Sequence, residues 1–218
     1  MLLFAAAGLL GPSRGMAQLS GSGACGAAVS DPLPASDDSW SFGIWFAGGT
    51  HEPLKTVQGH KEDRALYLVG IEGRQALYRS RYLNVDYTPA LVPGVLATAN
   101  RDYNLVTNSD GRTGVVVGKK NAFGAGLLPI AIEMRVFVLP RASIVIGGGG
   151  GAAYFDRRIP DPDETRFNFL ADGHAGLSFH TGMGVATAGF WLQHISNANT
   201  GKVNPGMDSR MLYVAFSP

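Results

Sequence analysis

Residues 127–138 read Leu-Leu-Pro-Ile-Ala-Ile-Glu-Met-Arg-Val-Phe-Val, and this stretch decides the fold. One face of it is apolar throughout, with side chains at Leu128, Ile130, Ile132, Met134, Val136 and Val138. The opposite face includes Glu133 and Arg135. Because successive side chains of a strand point to opposite faces, this period of two predicts a β-strand with one apolar and one charged face.

The same alternation recurs along the chain, most clearly in residues 166–180 and 82–88. Candidate strands cover 40–48, 64–72, 75–90, 123–138, 141–155, 166–180, 183–196 and 208–217. These eight segments match the smallest strand number used by outer-membrane barrels. Residues 98–120 are more polar and are predicted to form a long loop or lid.

The composition bears on the kind of barrel. Only 16% of the residues are charged, and 18 Lys and Arg balance 17 Asp and Glu, so no positive field attracts nucleic acid. A soluble barrel alternates in the same way but turns its apolar face inward. The length of the segments, the aromatic residues near their ends and the alternating C-terminal segment 212–217 favour a transmembrane barrel. We therefore predict an all-β fold, an eight-stranded antiparallel barrel of the bacterial outer membrane.

The N-terminal part is predicted to lie outside this barrel. An apolar stretch over 2–10 and small residues before Gln18 predict a signal peptide at 1–17, although no positive charge precedes the stretch. Residues 18–37 predict a flexible leader, and 38–218 the barrel domain. Cys25 is the only cysteine, so no intrachain disulfide can form.

One candidate site lies near the C-terminus. His194 and Ser196 are two residues apart and therefore leave the same face of a strand, the face of Phe190 and Leu192. Asp208 shares the parity of the apolar residues in the last strand. If both apolar faces contact lipid, a nucleophile, a base and a carboxylate lie together on the outside of the barrel. That combination predicts a serine esterase.

The segment at the end of this strand reads His194-Ile195-Ser196-Asn197-Ala198-Asn199-Thr200-Gly201-Lys202-Val203-Asn204-Pro205-Gly206. Together with the closing strand, it resembles the C-terminal signature of the lipid A 3-O-deacylase (PagL-type, acyloxyacyl hydrolase) family. The resemblance is sharpest over 189–217. The resemblance implies an eight-stranded outer-membrane barrel that removes the 3-O acyl chain of lipid A. It implies that Ser196 is the nucleophile and His194 the general base. Asn197 and Asn204 match motif asparagines with an oxyanion or site-ordering role. Asp208 stands where the family has glutamate.

The prediction is thus an outer-membrane lipid A deacylase whose site faces the outer leaflet, with lipopolysaccharide as substrate and no cofactor or metal. The sequence is compatible with a homodimer. Two alternatives remain at this point. One is a non-catalytic outer-membrane barrel with a structural or interaction role, and the other is a soluble secreted lipid-binding barrel.

Overall fold

A computed structural model describes residues 39–51, 64–204 and 206–218 of the chain. The predicted signal peptide and leader lie outside these residues. The described residues form the strands β1 (Ser41–His51), β2 (Ala65–Arg79), β3 (Leu83–Tyr87), β4 (Ala90–Thr107), β5 (Thr113–Leu139), β6 (Ala142–Phe155), β7 (Phe167–Thr181), β8 (Gly184–Ser196) and β9 (Met207–Ser217). No helix among them is long and apolar enough to cross a membrane.

The strands close into a ring of eight antiparallel positions. β3 and β4 occupy one position, because both pair with β2 on one side and with β5 on the other. A break at Thr88 and Pro89 separates them. β1 pairs with β2 and also with β9, so the first and last strands join and leave no open edge. The predicted all-β fold and its eight strands are confirmed.

Side-chain exposure shows which face of the sheet is outside. The apolar face of β5 is exposed, from 73% at Ile130 to 42% at Val136, whereas Glu133 and Arg135 are 5% and 7% exposed. A soluble barrel would show the reverse pattern. An apolar exterior around a polar interior is the arrangement of a transmembrane barrel. The soluble alternative is therefore wrong.

The interior is filled with side chains that neutralise one another. Arg74 forms ion pairs with Glu72, Asp86 and Glu133, which come from β2, β3 and β5. Glu133 also accepts a hydrogen bond from Arg135 at 2.8 Å. Aromatic rings pack beside this charged cluster, and the rings of Trp45 and Trp191 stack with centroids 4.7 Å apart. Because buried charges are tolerated where they are paired, these side chains can fill the interior of the barrel as a packed core.

Three predictions about the strands need correction. The predicted boundary between 64–72 and 75–90 is wrong: β2 continues through Arg74 to Arg79, and the turn follows at 80–82. The predicted loop 98–120 is instead a hairpin, because β4 and β5 pair with each other from Asn100↔Lys120 to Thr107↔Thr113. Leu128 is buried at 2% exposure, because the β5–β6 register shifts between Leu127 and Ile130 and moves Leu128 to the inner face.

Candidate active site

The site lies where β8 and β9 diverge at one end of the barrel. His194 and Asp208 are direct cross-strand partners, and Ile195↔Met207 is the last pair of this ladder. Ser196 is the final residue of β8 and pairs on its other side with Phe169 of β7. The sequence-predicted trio thus lies on two adjacent strands, with His194 and Ser196 just before the connection 197–206 and Asp208 just after it.

His194 and Asp208 form a short contact on the outer face. The Nδ1 atom of His194 lies 2.7 Å from Oδ1 of Asp208, a distance typical of a charge-assisted hydrogen bond. Side chains directly opposite in an antiparallel pair are close enough for the shorter aspartate to reach the imidazole. The imidazole is 50% exposed and the carboxylate 31%. The contact therefore lies at the surface and is open to a substrate from outside.

The parity argument is supported by the neighbours of these residues. Phe190 and Leu192 precede His194 on the same face and are 71% and 47% exposed, whereas Trp191 and Ile195 are buried inside. Ser196 is half-buried and has the same parity as His194. Since alternate residues share a face, the hydroxyl and the imidazole both belong to the lipid-facing surface.

A shallow cavity of about 220 Å³ adjoins the His194–Asp208 pair. Ala171 is the β7 partner of His194. The next outward row of the sheet contains Gly173, Leu192 and Arg210. The cavity therefore extends from the His194 row to this next row, away from the connection 197–206. The small residues at 171 and 173 leave the space open. The outward residues that line it are Ala171, Gly173, Leu192, His194, Asp208 and Arg210.

Asn197 is fully buried and holds the connection together. Its Nδ2 donates to the carbonyl of Val203 at 2.7 Å, and its Oδ1 accepts from the backbone N–H of Asn199 at 2.9 Å. Its own backbone N–H donates to Oδ1 of Asn204 at 3.1 Å. Because this N–H donates to Oδ1, it fixes the orientation of the Asn204 amide, and the Nδ2 group of Asn204 points away from the Asn197 backbone. Asn197 and Asn204 therefore order the start and the end of the connection.

Two further residues, Gly206 and Glu164, also shape the site. Gly206 has a φ of +67°, and a Cβ atom there would lie 3.1 Å from Cε1 of His194. It belongs to the quoted motif, and a glycine before a strand is a usable signal for a positive φ. Glu164, in the connection between β6 and β7, accepts a hydrogen bond from Nδ2 of Asn197 at 3.4 Å. No sequence signal pointed to Glu164, because it lies 33 residues from its partner.

The barrel is closed, its exterior is apolar, and a His–Asp pair lies on that exterior. These features place the protein in the class of outer-membrane barrels, with a polar site on the lipid-facing surface. Residues 93–217 match the model of the family described as Lipid A 3-O-deacylase (PagL). The match spans more than half of the chain, and the protein belongs to this family. The resemblance inferred from the sequence is confirmed.

One solved structure supports the fold, and two others align with lower scores. The crystal structure of the outer membrane enzyme PagL aligns with a TM-score of 0.56 at 14% identity, covering 79% of this chain and 97% of that one. The Yersinia pestis outer membrane protein Ail aligns with a TM-score of 0.35 at 14% identity, over 82% of this chain and 99% of that one. AlkL aligns with a TM-score of 0.32 at 12% identity, over 93% of both chains. No curated protein matches the chain significantly.

Proposed function

We propose that this protein is an outer-membrane serine esterase that removes the 3-O-linked acyl chain from lipid A. The observation that carries the proposal is the 2.7 Å contact between His194 and Asp208 on the lipid-facing surface, beside Ser196 and within the segment that matches the family. An acyl glycolipid in the membrane can present its ester to such a site without entering the packed interior.

The contact determines what the imidazole can do. A carboxylate at Nδ1 keeps the proton on that nitrogen and leaves Nε2 as the acceptor for a serine proton. The carboxylate also stabilises the imidazolium that forms when the proton moves. Asp208 therefore fills the role that glutamate has in the family, since direct cross-strand pairing compensates for its missing methylene.

The proposed reaction has two halves. Ser196 Oγ attacks the ester carbonyl carbon while its proton passes to Nε2 of His194, and the carbonyl oxygen becomes an oxyanion. When this intermediate collapses, the sugar oxygen leaves with the proton from His194, and the acyl group stays on Ser196. Water then attacks the acyl-enzyme and gives a proton to His194. When the second intermediate collapses, His194 returns this proton to Ser196 Oγ and the fatty acid is released.

The two asparagines take different parts in this proposal. Asn197 uses its side-chain amide to order the connection, so we assign it a positioning role. The Oδ1 atom of Asn204 is occupied by the Asn197 backbone N–H, and the Nδ2 group of the same amide is our candidate donor to the oxyanion. The cavity beside His194 would take the first part of the acyl chain, because Ala171, Gly173 and Leu192 give part of its wall a small and apolar surface.

We further propose that the site faces the outer leaflet. The end of the barrel opposite the site has short turns, at 80–82, 140–141 and 182–183. The end with the site has the longer connections 156–166 and 197–206 and the extended β4–β5 hairpin. Outer-membrane barrels have short periplasmic turns and longer extracellular loops. Lipopolysaccharide occupies the outer leaflet, so the site and the substrate would lie on the same side. A single copy suffices, and the homodimer stays a prediction.

The test is an assay of purified protein with lipid A in detergent, read by mass spectrometry. The native protein is expected to release one hydroxy fatty acid per lipid A, and Ser196→Ala is expected to release none above background. Ser209→Ala is the matched control, because Ser209 is buried on the inner face of β9. Equal release by the native protein and Ser196→Ala would exclude the serine mechanism. If the folded native protein released no acid, the non-catalytic barrel would be favoured instead.

A further inference from the structure

The connection 156–166 between β6 and β7 folds back into the end of the barrel. Ile159 is fully buried and belongs to the same apolar cluster as Ile195 and Met207, which flank the candidate site. The backbone N–H of Ile159 donates to the carbonyl of Thr165 at 3.3 Å. The connection therefore packs against the strand ends that hold the site.

Glu164 is the charged residue that this packing buries most deeply. Its exposure is 2%, and one carboxyl oxygen accepts the hydrogen bond from Asn197. The other oxygen, Oε1, has no hydrogen-bond partner among the described residues. A buried carboxyl with a single weak hydrogen-bond partner is costly, and its position beside a candidate site points to a functional role.

The partner of Glu164 is the residue next to the proposed nucleophile. Asn197 follows Ser196 directly, and its hydrogen bonds define the connection 197–206. The two connections also contact each other nearby, since a Cβ atom on Gly201 would lie 2.6 Å from Nδ2 of Asn197 and 3.3 Å from Cγ2 of Thr165. A change at Glu164 would therefore be transmitted to the backbone that carries Ser196.

We propose that Glu164 is a positioning residue: from the β6–β7 connection it holds Asn197, and through Asn197 it fixes Ser196 for attack. The inference rests on the proposed function. A neutral carboxyl is compatible with the buried position, whereas an ionised one would favour a move toward water and away from Asn197. Turnover is therefore expected to decline when Glu164 ionises.

The surroundings of Glu164 set the pH at which its carboxyl group ionises. Burial, reinforced by the negative charge of Asp161 in the same connection, raises the pKa of Glu164 to about 8, while Arg64 just before β2 acts in the opposite direction. The neutral form is thus the main one at pH 7. Because the pKa is raised in the folded state, the contribution of the neutral form to stability is lost as the pH rises through about 8.

Three variants test the proposal by kcat and KM at pH 6 to 10. Glu164→Gln cannot ionise but keeps an acceptor for Asn197, so it is expected to retain turnover at neutral pH and to lose the alkaline decline of the native protein. Glu164→Leu loses the acceptor, and its kcat is expected to fall about tenfold with little change in KM. Asp163→Asn is the matched control in the same connection, because Asp163 accepts from the Tyr103 hydroxyl and not from Asn197.

A second measurement does not depend on catalysis. Nuclear magnetic resonance of the protein in detergent micelles is expected to show the Asn197 side-chain amide titrating in the native protein and not in Glu164→Gln. An Asn197 signal that does not titrate, or an unchanged kcat in Glu164→Leu, would overturn the positioning role. If Asn197 titrates while no variant hydrolyses lipid A, the link to Glu164 stands and the proposed function fails.

Discussion

Replacing Asp208 by asparagine is expected to lower kcat by about 30-fold. The substitution keeps the size of the side chain and removes its charge. In the proposed transition state, the carboxylate faces an imidazolium at the short contact described above. Charges about 4 Å apart interact by about 1 kcal/mol in water and about 4 kcal/mol near a protein surface. Since both side chains are partly exposed, we take about 2 kcal/mol, which corresponds to the stated factor.

The introduced amide adds to this loss, because its NH₂ group can donate to Nδ1 and favour the imidazole tautomer that cannot take the serine proton. Asp208→Glu restores the charge and is expected to lose much less activity. The assay is the initial rate of acyl release from lipid A in detergent, with the folded fraction measured by heat-dependent gel migration. The buried neighbour variant Ser209→Ala is expected to keep native activity. A kcat within about twofold of native for Asp208→Asn would refute the proposed role of the carboxylate.

Three further perturbations test the site and the fold. Gly206→Ala is expected to destabilise the protein by about 1 kcal/mol, because residue 206 has a positive φ. It is also expected to lower kcat, because the new methyl group would press on the His194 ring. Gel migration measures the loss of stability, and acyl release measures the loss of activity. Phe190→Arg places a charge on the lipid-facing surface and is expected to cost about 2–4 kcal/mol in an unfolding titration in lipid vesicles, whereas Leu105→Arg, on the exposed hairpin, is expected to cost almost nothing. Glu133→Leu removes the carboxylate partner of the buried Arg74 and Arg135, and it is expected to lower the free energy of unfolding by about 3–5 kcal/mol in the same titration. An unchanged midpoint would show that the buried network does not stabilise the barrel.

The corrected strand boundaries show where local sequence was insufficient. Glu72-Gly73-Arg74 resembles a turn in sequence, but the charge of Arg74 is neutralised by carboxylates of three strands, so β2 continues. Residues 98–120 are polar enough to indicate a loop, yet their backbone groups pair across a hairpin and need no apolar face. These features depend on partners distant in the chain, and periodicity does not report them.

The candidate site shows the same division. The sequence by itself determined the all-β fold and placed His194, Ser196 and Asp208 on one face, because alternation is a local property of the strand backbone. Only the tertiary structure decided that Asp208 lies directly opposite His194, since the connection 197–206 does not fix the register of β9. It alone decided that Glu164 meets Asn197. The first contact depends on the register of the β8–β9 hairpin, and the second depends on how the β6–β7 connection folds back onto the ends of the strands.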